Sequence, residues 1–426
     1  MKSNIQELID QTRKKFGLDQ YELGRQGFNR YINEFNDTIY SLTMEWFPLH
    51  CTEPEDDDSN PDGTAVIDVN LNTGQFETVI FVMGKTYAKN GVTFDSHYSN
   101  DIIKWVEQET GLTYGEHFHI QKEEEGELHF NERMGDVSVF PSGTIEVNWN
   151  DEGQLTTFIQ HGSFLAKKMV RIEEYDLCIE MIESLAKEQV KRFEWPSFEQ
   201  NRMRSIYALE EIFVKNDGTG TIPFEWGHED NQCVNVNQIM EWNEPIDGSF
   251  ERRGVNVVED ISAEQAFSFE PSPDTMPISK KEQDECVKAV RTFLQQNYSV
   301  DTGKWVLKTL HRDKGYIHAN LKVNKQEESG FMDKIKVFID ANSFEAVNYI
   351  DKKEMFQVCG ILDPFQAPNE ITISKEEAFT KMREWFELTP IYVYDFAQKQ
   401  YVLCGKLDCH YGVDATSGEV ISLNDL

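Results

Sequence analysis

The sequence predicts an α+β chain of tandem units, each one helix packed on a small antiparallel sheet. Two series of segments predict it. One is a set of amphipathic helices, each opened by a serine. The other is a set of closing hairpins that turn on Asn, Asp and Gly.

The helices come first in each unit. Ser3 opens "SNIQELIDQTRKKFG", where Ser3 and Gln6 fit a capping box and Ile5, Leu8, Ile9, Thr12 and Phe16 fall on one face before Gly17. Ser99 opens a second run with Ile102, Ile103, Val106 and Thr110 stacked and Gly111 as the stop. Ser279 opens a third, with Glu282 at the box position and Cys286, Val287, Val290, Phe293 and Leu294 inward. Ser374 opens a fourth, with Glu377 in the box and Ala378, Met382, Trp385 and Phe386 inward.

Strands follow each helix and end in a hairpin: "VIDVNLNTGQFETVIF" (66–81), "EVNWNDEGQLTTFI" (146–159), "VFIDANSFEAVNYI" (337–350) and "GVDATSGEVISL" (412–423). Gly74, Gly153 and Gly418 supply the positive φ that such turns need. The third hairpin has Phe344 there instead, which predicts a different turn or a register one residue off. One helix on about three strands has a thin core, so such units are expected in tandem.

A helix opened by "ISKEEA" followed by strands and a closing "VDATSGEV" resembles the PepSY-type repeat, and more closely the YcdB/YcdC repeat proteins of Firmicutes. Residues 370–423 carry the pattern best, then 277–351 and 1–82, then 97–160. The resemblance implies a small α+β fold without catalytic apparatus and a role in binding or restraining peptidases. The secretion signal and membrane anchor common in that setting are not seen in this sequence.

The expected organisation is 1–162, a pair of helix-plus-sheet units; 163–275, a divergent middle segment; and 276–426, a second pair of PepSY-like units. In the middle, 167–195 reads as a long helix with Tyr175, Ile179, Ile182, Ala186 and Val190 in register, ended by Trp195-Pro196. Residues 210–226 read as strand, turn and strand, with short β-like runs at 233–242 and 254–258. Segments 268–279 and 363–372 read as linkers.

Composition narrows the function. The 41 basic and 75 acidic residues give a net charge of −34. That argues against nucleic acid, which is bound by neutralising phosphate, and against anionic membranes. A basic partner or cations fit it, as does solubility by self-repulsion. The N-terminus has no apolar signal region and no stretch is apolar enough to span a membrane, so a cytoplasmic location is expected. Seven scattered cysteines (51, 178, 233, 286, 359, 404 and 409) read as reduced core thiols.

Four clusters were weighed as sites. Asp58, Asn60, Asp62 and Gly63 begin like a calcium loop, but the twelfth position is Val69, Asp68 comes one residue early, and a metal-free, mobile acidic loop is expected. His117 and His119 would share a strand face, with His129 across from them, as a zinc candidate. Cys404, Cys409 and His410 lack zinc-knuckle spacing and read as strand positions. Glu225, His228, Glu229, Asp230 and Cys233, beside Trp226, collect acid/base groups without a motif. There is no G-x-S-x-G, H-E-x-x-H, P-loop or G-x-G-x-x-G, and no helix pattern follows "DGTGT" (217–221). The sequence thus assigns no catalytic, cofactor-binding or metal residue and no cofactor. It points to a non-enzymatic protein that binds a protein or peptide partner, with sheet edges able to accept an added strand. The alternatives are a hydrolase using the middle segment and an acidic metal-binding protein.

Overall fold

In the computed structural model, which describes residues 2–50, 60–95, 99–164, 169–170, 173–197, 199–200, 202–223, 233–246, 248–324, 329–330, 334–358, 366 and 368–426, strand outweighs helix and the sheets are large. The expectation of one helix on one small sheet, repeated, is therefore corrected. The chain forms two compact units, residues 1–169 with 258–275 and residues 170–257 with 276–426.

In the first unit, helix α1 (Lys2–Lys15) leads into β1 (Tyr21–Ile32), β2 (Thr38–Pro48), β3 (Ala65–Asn70) and β4 (Phe76–Phe81). Helix α2 (Ser99–Thr110) leads into β5 (Phe118–Glu124), β6 (Glu127–Met134), β7 (Val137–Phe140), β8 (Thr144–Trp149) and β9 (Leu155–His161). These do not make two small sheets. β4 pairs with β9 through Thr78↔Ile159, Val79↔Phe158 and Ile80↔Thr157, so the order runs β1-β2-β3-β4-β9-β8-β6, with β5 and β7 on β6. Two unpaired hairpin edges would leave backbone groups exposed, and joining them satisfies both.

The core follows the same logic. Ile9 of α1, Phe16 just beyond it, and Ile102, Ile103 and Val106 of α2 belong to one cluster with Leu42, Met44, Trp46, Ile67, Phe130, Val147 and Phe158. Each such side chain contributes about 1.5–3 kcal/mol when buried. The opposite face of the sheet carries a row in register through Thr43, Asp68, Thr78, Ile159, Glu146 and His129, polar except at Ile159.

The second unit corrects the middle segment. Among the described residues of 173–195, the expected long helix is replaced by a 3-10 turn at Ile179–Ile182, α3 (Glu183–Gln189) and a strand. That strand, β10 (Val190–Ser197), is antiparallel to β11 (Arg202–Leu209). β12 (Ile212–Lys215) and β13 (Thr221–Pro223) form the expected strand pair of the middle segment, and β14 is Val234–Ile239. No helix or strand covers 254–258.

Helix α4 (Lys280–Asn297) packs on β15 (Trp305–Asp313), β16 (Tyr316–Val323), β18 (Lys334–Asp340) and β19 (Ala346–Asp351), with β14 completing that sheet. The two-residue β17 (Ser329–Gly330) instead runs parallel to β10. The last segment, where the repeat pattern is strongest, divides. Helix α5 (Lys375–Met382) is followed by β20 (Glu387–Asp395) and β21 (Gln400–Asp408), which pair with each other, and β21 pairs on its other side with β12. β22 (Tyr411–Asp414) and β23 (Val420–Ser422) pair with β11 in a different sheet, through Ile206↔Asp414 and Tyr207↔Val413.

Local chemistry explains the helix starts and the hairpins. Ser279 with Glu282 and Ser374 with Glu377 form reciprocal capping boxes. In three hairpins the first turn residue accepts two backbone N–H groups on its side-chain oxygen: Asn70 from Asn72 and Thr73 (2.8 and 3.1 Å), Asp340 from Asn342 and Ser343 (3.0 and 2.8 Å), Asp414 from Thr416 and Ser417 (2.9 and 3.0 Å). The residue four positions on then donates its N–H to the carbonyl of the first: Gly74, Phe344 and Gly418, at 2.7, 2.9 and 2.8 Å. Their φ values are 77, 56 and 73°. Phe344 therefore adopts the glycine conformation itself, and the turn is the same one.

Two predictions rest on this fold. A Cβ on Gly418 would lie 2.4 Å from Cδ1 of Ile373, and its φ is left-handed. Gly418→Val should destabilise by about 1–3 kcal/mol from backbone strain alone. Because β22 pairs with β11, hydrogen exchange should accelerate in residues 202–209 as well as 411–422. A loss confined to 370–426 would contradict the pairing.

His311 and His318 face each other across β15 and β16 with ring centroids 4.6 Å apart, and both are buried. Burial, then the neighbouring His311 and Lys336, lowers His318 from 6.5 to about 3. A depressed folded value means the neutral ring stabilises the fold above pH 6.5. That stability is lost as pH falls from 6.5 towards 3, at up to about 1.4 kcal/mol per pH unit. Urea midpoints measured from pH 7 to 4 should fall less steeply in His318→Phe than in the parent.

Candidate functional site

A concave feature rich in carboxylates lies in the first unit, where three separate segments meet. It is a cleft of about 470 Å³ lined by Ser99 and Ile102 of α2, by Glu123, Glu124, Glu125 and Gly126 at the β5–β6 turn, and by Trp149, Asn150 and Asp151 at the end of β8. Ile102 is fixed by its place in the core, and this orients the first turn of α2 towards the cleft. The Ser99 hydroxyl, expected to cap α2, donates to the Glu123 carboxylate.

The two turns hold each other. The Trp149 N–H donates to the Gly126 carbonyl at 2.9 Å. The Asn150 side-chain oxygen accepts from the N–H groups of Glu152 and Gln154 at 3.1 and 2.9 Å, shaping the β8–β9 turn. The Trp149 ring stands edge-on to Phe94, with centroids 6.4 Å apart. On the flank, Lys122 bridges Glu124 and Glu127 at 3.1 and 3.0 Å. Hydrogen bonds from Lys122 and His129 hold Glu127 below the usual carboxylate range.

The lining thus offers four carboxylates, a hydroxyl, an indole and an aliphatic floor. Such a surface attracts cations electrostatically and can take the stem of a lysine or arginine against Trp149 and Ile102.

The clusters weighed from the sequence are not brought together here. Asp58 and the rest of 51–59 lie outside the described residues. Asn60 accepts from Arg25 at 3.2 Å and Asp62 pairs with Lys85 at 2.5 Å. Asp68 sits on β3, where burial raises its pKa against hydrogen bonds from Thr43 and Thr78.

His117 is not on the strand with His119: it lies in the turn before β5 and accepts the Thr113 N–H at 3.0 Å. His129 is hydrogen-bonded to Glu127. Cys404 and Cys409 are buried in or beside β21, and burial pushes the Cys404 thiol up to about 12 and raises Cys409. His410 is exposed. Glu225, Trp226, His228, Glu229 and Asp230 lie outside the described residues, and Cys233 is half-buried. Among the described residues, no three His, Cys, Asp or Glu groups are placed to hold a metal ion. Among them also, no helix is long and apolar enough to cross a membrane.

The acidic cleft was missed by sequence reading, although "KEEEGE" is legible as a hairpin tip. Its partners lie about 25 residues away on both sides, and no local signal links them.

Comparison with known proteins adds little to this geometry. No family model matches the chain, so the YcdB/YcdC resemblance gains no support from that side. No curated protein matches it in sequence. Among solved structures it is similar to the Bacillus megaterium YpeB C-terminal domain, at 10% identity over 81% of this chain and 96% of that one, with a TM-score of 0.24. That likeness is distant and carries no argument about site or activity.

Proposed function

We propose that this protein is a non-catalytic binding protein whose partner is a protein or peptide with a basic segment, received in the acidic cleft of the first unit. The observation that carries this reading is the meeting of Glu123, Glu124, Glu125 and Asp151 around Trp149 and Ile102 in one cleft of about 470 Å³. The net charge of −34 supports it, because a strongly acidic body steers a basic partner towards it. The PepSY resemblance adds a partner class, a peptidase that presents such a segment and is bound or restrained by it.

The test is fluorescence anisotropy with labelled peptides of about ten residues, one rich in Lys and Arg and one with Glu in their place. The basic peptide should bind and the acidic one should not. Affinity should fall as salt rises from roughly 50 to 500 mM, as expected for exposed charges screened over about a Debye length. Replacing Glu123, Glu124 and Glu125 by Lys should weaken binding at least about tenfold, and Trp149→Ala should weaken it by a factor of several. Equal binding by the triple variant sinks the assignment of this cleft.

A further inference from the structure

Residues 258–275 return to the first unit as a strap along the ends of β1 and β2. Arg30 holds Glu259 with two hydrogen bonds, Nε at 3.2 Å and Nη2 at 2.5 Å. Ile261 forms a single antiparallel bridge to Phe28. A short helix, Ala263–Ser268, follows, with Ser262 and Gln265 as its capping box. Phe267 packs edge-on to Phe28 and Phe269 edge-on to Tyr40. Tyr40 Oη donates to the Glu270 carbonyl at 2.9 Å, and the Ser272 N–H donates to Thr38 Oγ1 at 2.7 Å.

We propose that this strap is an intrachain ligand. It fills a peptide-accepting groove on the first unit, and it lifts off without the rest of that unit unfolding. An extended bridge to a sheet edge followed by a helix laid on an apolar groove combines two ordinary modes of peptide recognition. The strap also has its own small cluster. Tyr40, Ile261 and Ala266 are its buried members, and it touches the main core of the unit through Phe28 and Leu71, which pack against both.

Its tethers suit such motion. No helix or strand covers 251–258 and most of that stretch is exposed. It is anchored on the far side by hydrogen bonds of Arg253 to Val347 and Asn348 and of Asn256 to Tyr316, which leaves Val257 and Val258 as the exposed hinge. Met276 beyond the strap is 55% exposed. A six-residue helix does not persist alone, so the strap loses its structure once lifted. Phe269, at φ 54°, is strained in the closed form, which favours opening. Closure is intramolecular, so the groove is occupied even though the strap's contacts are few. The chemistry of the occupant is read from the strap: a carboxylate for Arg30, then a capped helical turn ending in aromatic residues.

Two measurements test this. In native-state hydrogen exchange of the full chain, amides of 263–275 should exchange together, and at least about 100-fold faster than those of β3, β4 and β8. Arg30→Ala should accelerate the first group roughly tenfold and leave the second unchanged. One common rate for both groups would show the strap to be integral core and overturn the proposal. In the second measurement, Ala266→Asp in the chain expels the native strap, and a fluorescein-labelled peptide of residues 257–276 is added. Saturable binding to the variant, at least about tenfold tighter than to the parent, supports the groove. No binding to a variant whose β3, β4 and β8 remain protected overturns it. If that variant does not fold, exchange in the parent and in Arg30→Ala decides the matter.

Discussion

The three residue pairs between β4 and β9 are the constraint on which the first unit depends. They turn two hairpins, each with a helix on one face, into one sheet with one core. Val79 and Phe158 meet directly in this ladder and both are fully buried, so sheet continuity and core continuity are the same fact. Without the ladder, α1 and α2 would each cover a sheet too narrow to enclose Phe16 or Val106. With it, one row in register runs from Thr43 to His129, polar except at Ile159. Asp68 and Glu77 lie on that side of the sheet, and burial raises both their pKa values.

Local chemistry was legible in the sequence and pairing was not. Ser279 and Ser374 cap their helices because a hydroxyl followed three residues later by Glu satisfies two orphan N–H groups, and that spacing is visible in a string of letters. Which edge a hairpin meets depends on contacts hundreds of residues apart, and the sequence says nothing of it. Thus "GVDATSGEVISL" reads correctly as a hairpin, yet its partner is β11 and not β21. The overlong helix has a plain cause. Ile179, Ile182, Ala186 and Val190 keep helical spacing, but after Val190 the chain alternates and β11 offers eight paired positions, which outweigh the helical pattern. The site shows the same limit: the Glu-rich tip is visible in the sequence, and its meeting with Trp149 and Ser99 is not.

Phe344 shows how packing overrides a turn rule. Its left-handed backbone costs about 1–3 kcal/mol. Its ring packs against the core of α4 and its sheet, a contact of about the same size for a largely buried aromatic. The two effects nearly cancel, so an aromatic stands where the matching turns have Gly74 and Gly418. A reader who expects glycine there finds a broken pattern, although the hydrogen bonds of the turn are intact.

The choice of turn residue also divides the two units by their response to protons. At its hairpins the first unit uses amides, Asn70 and Asn150, whose oxygens accept the same N–H bonds at any pH. The second unit uses carboxylates. Asp340 is held low by the N–H groups of Ser343 and Asn342, which outweigh its burial. Asp414 is held at about 2, against its burial, by Thr416, Arg204 and the Ser417 N–H. Each carboxylate gives a stronger acceptor than an amide at neutral pH and becomes a site of proton uptake below its ordinary value near 3.8. The same backbone turn is thus indifferent to acid in one half of the chain and a proton acceptor in the other.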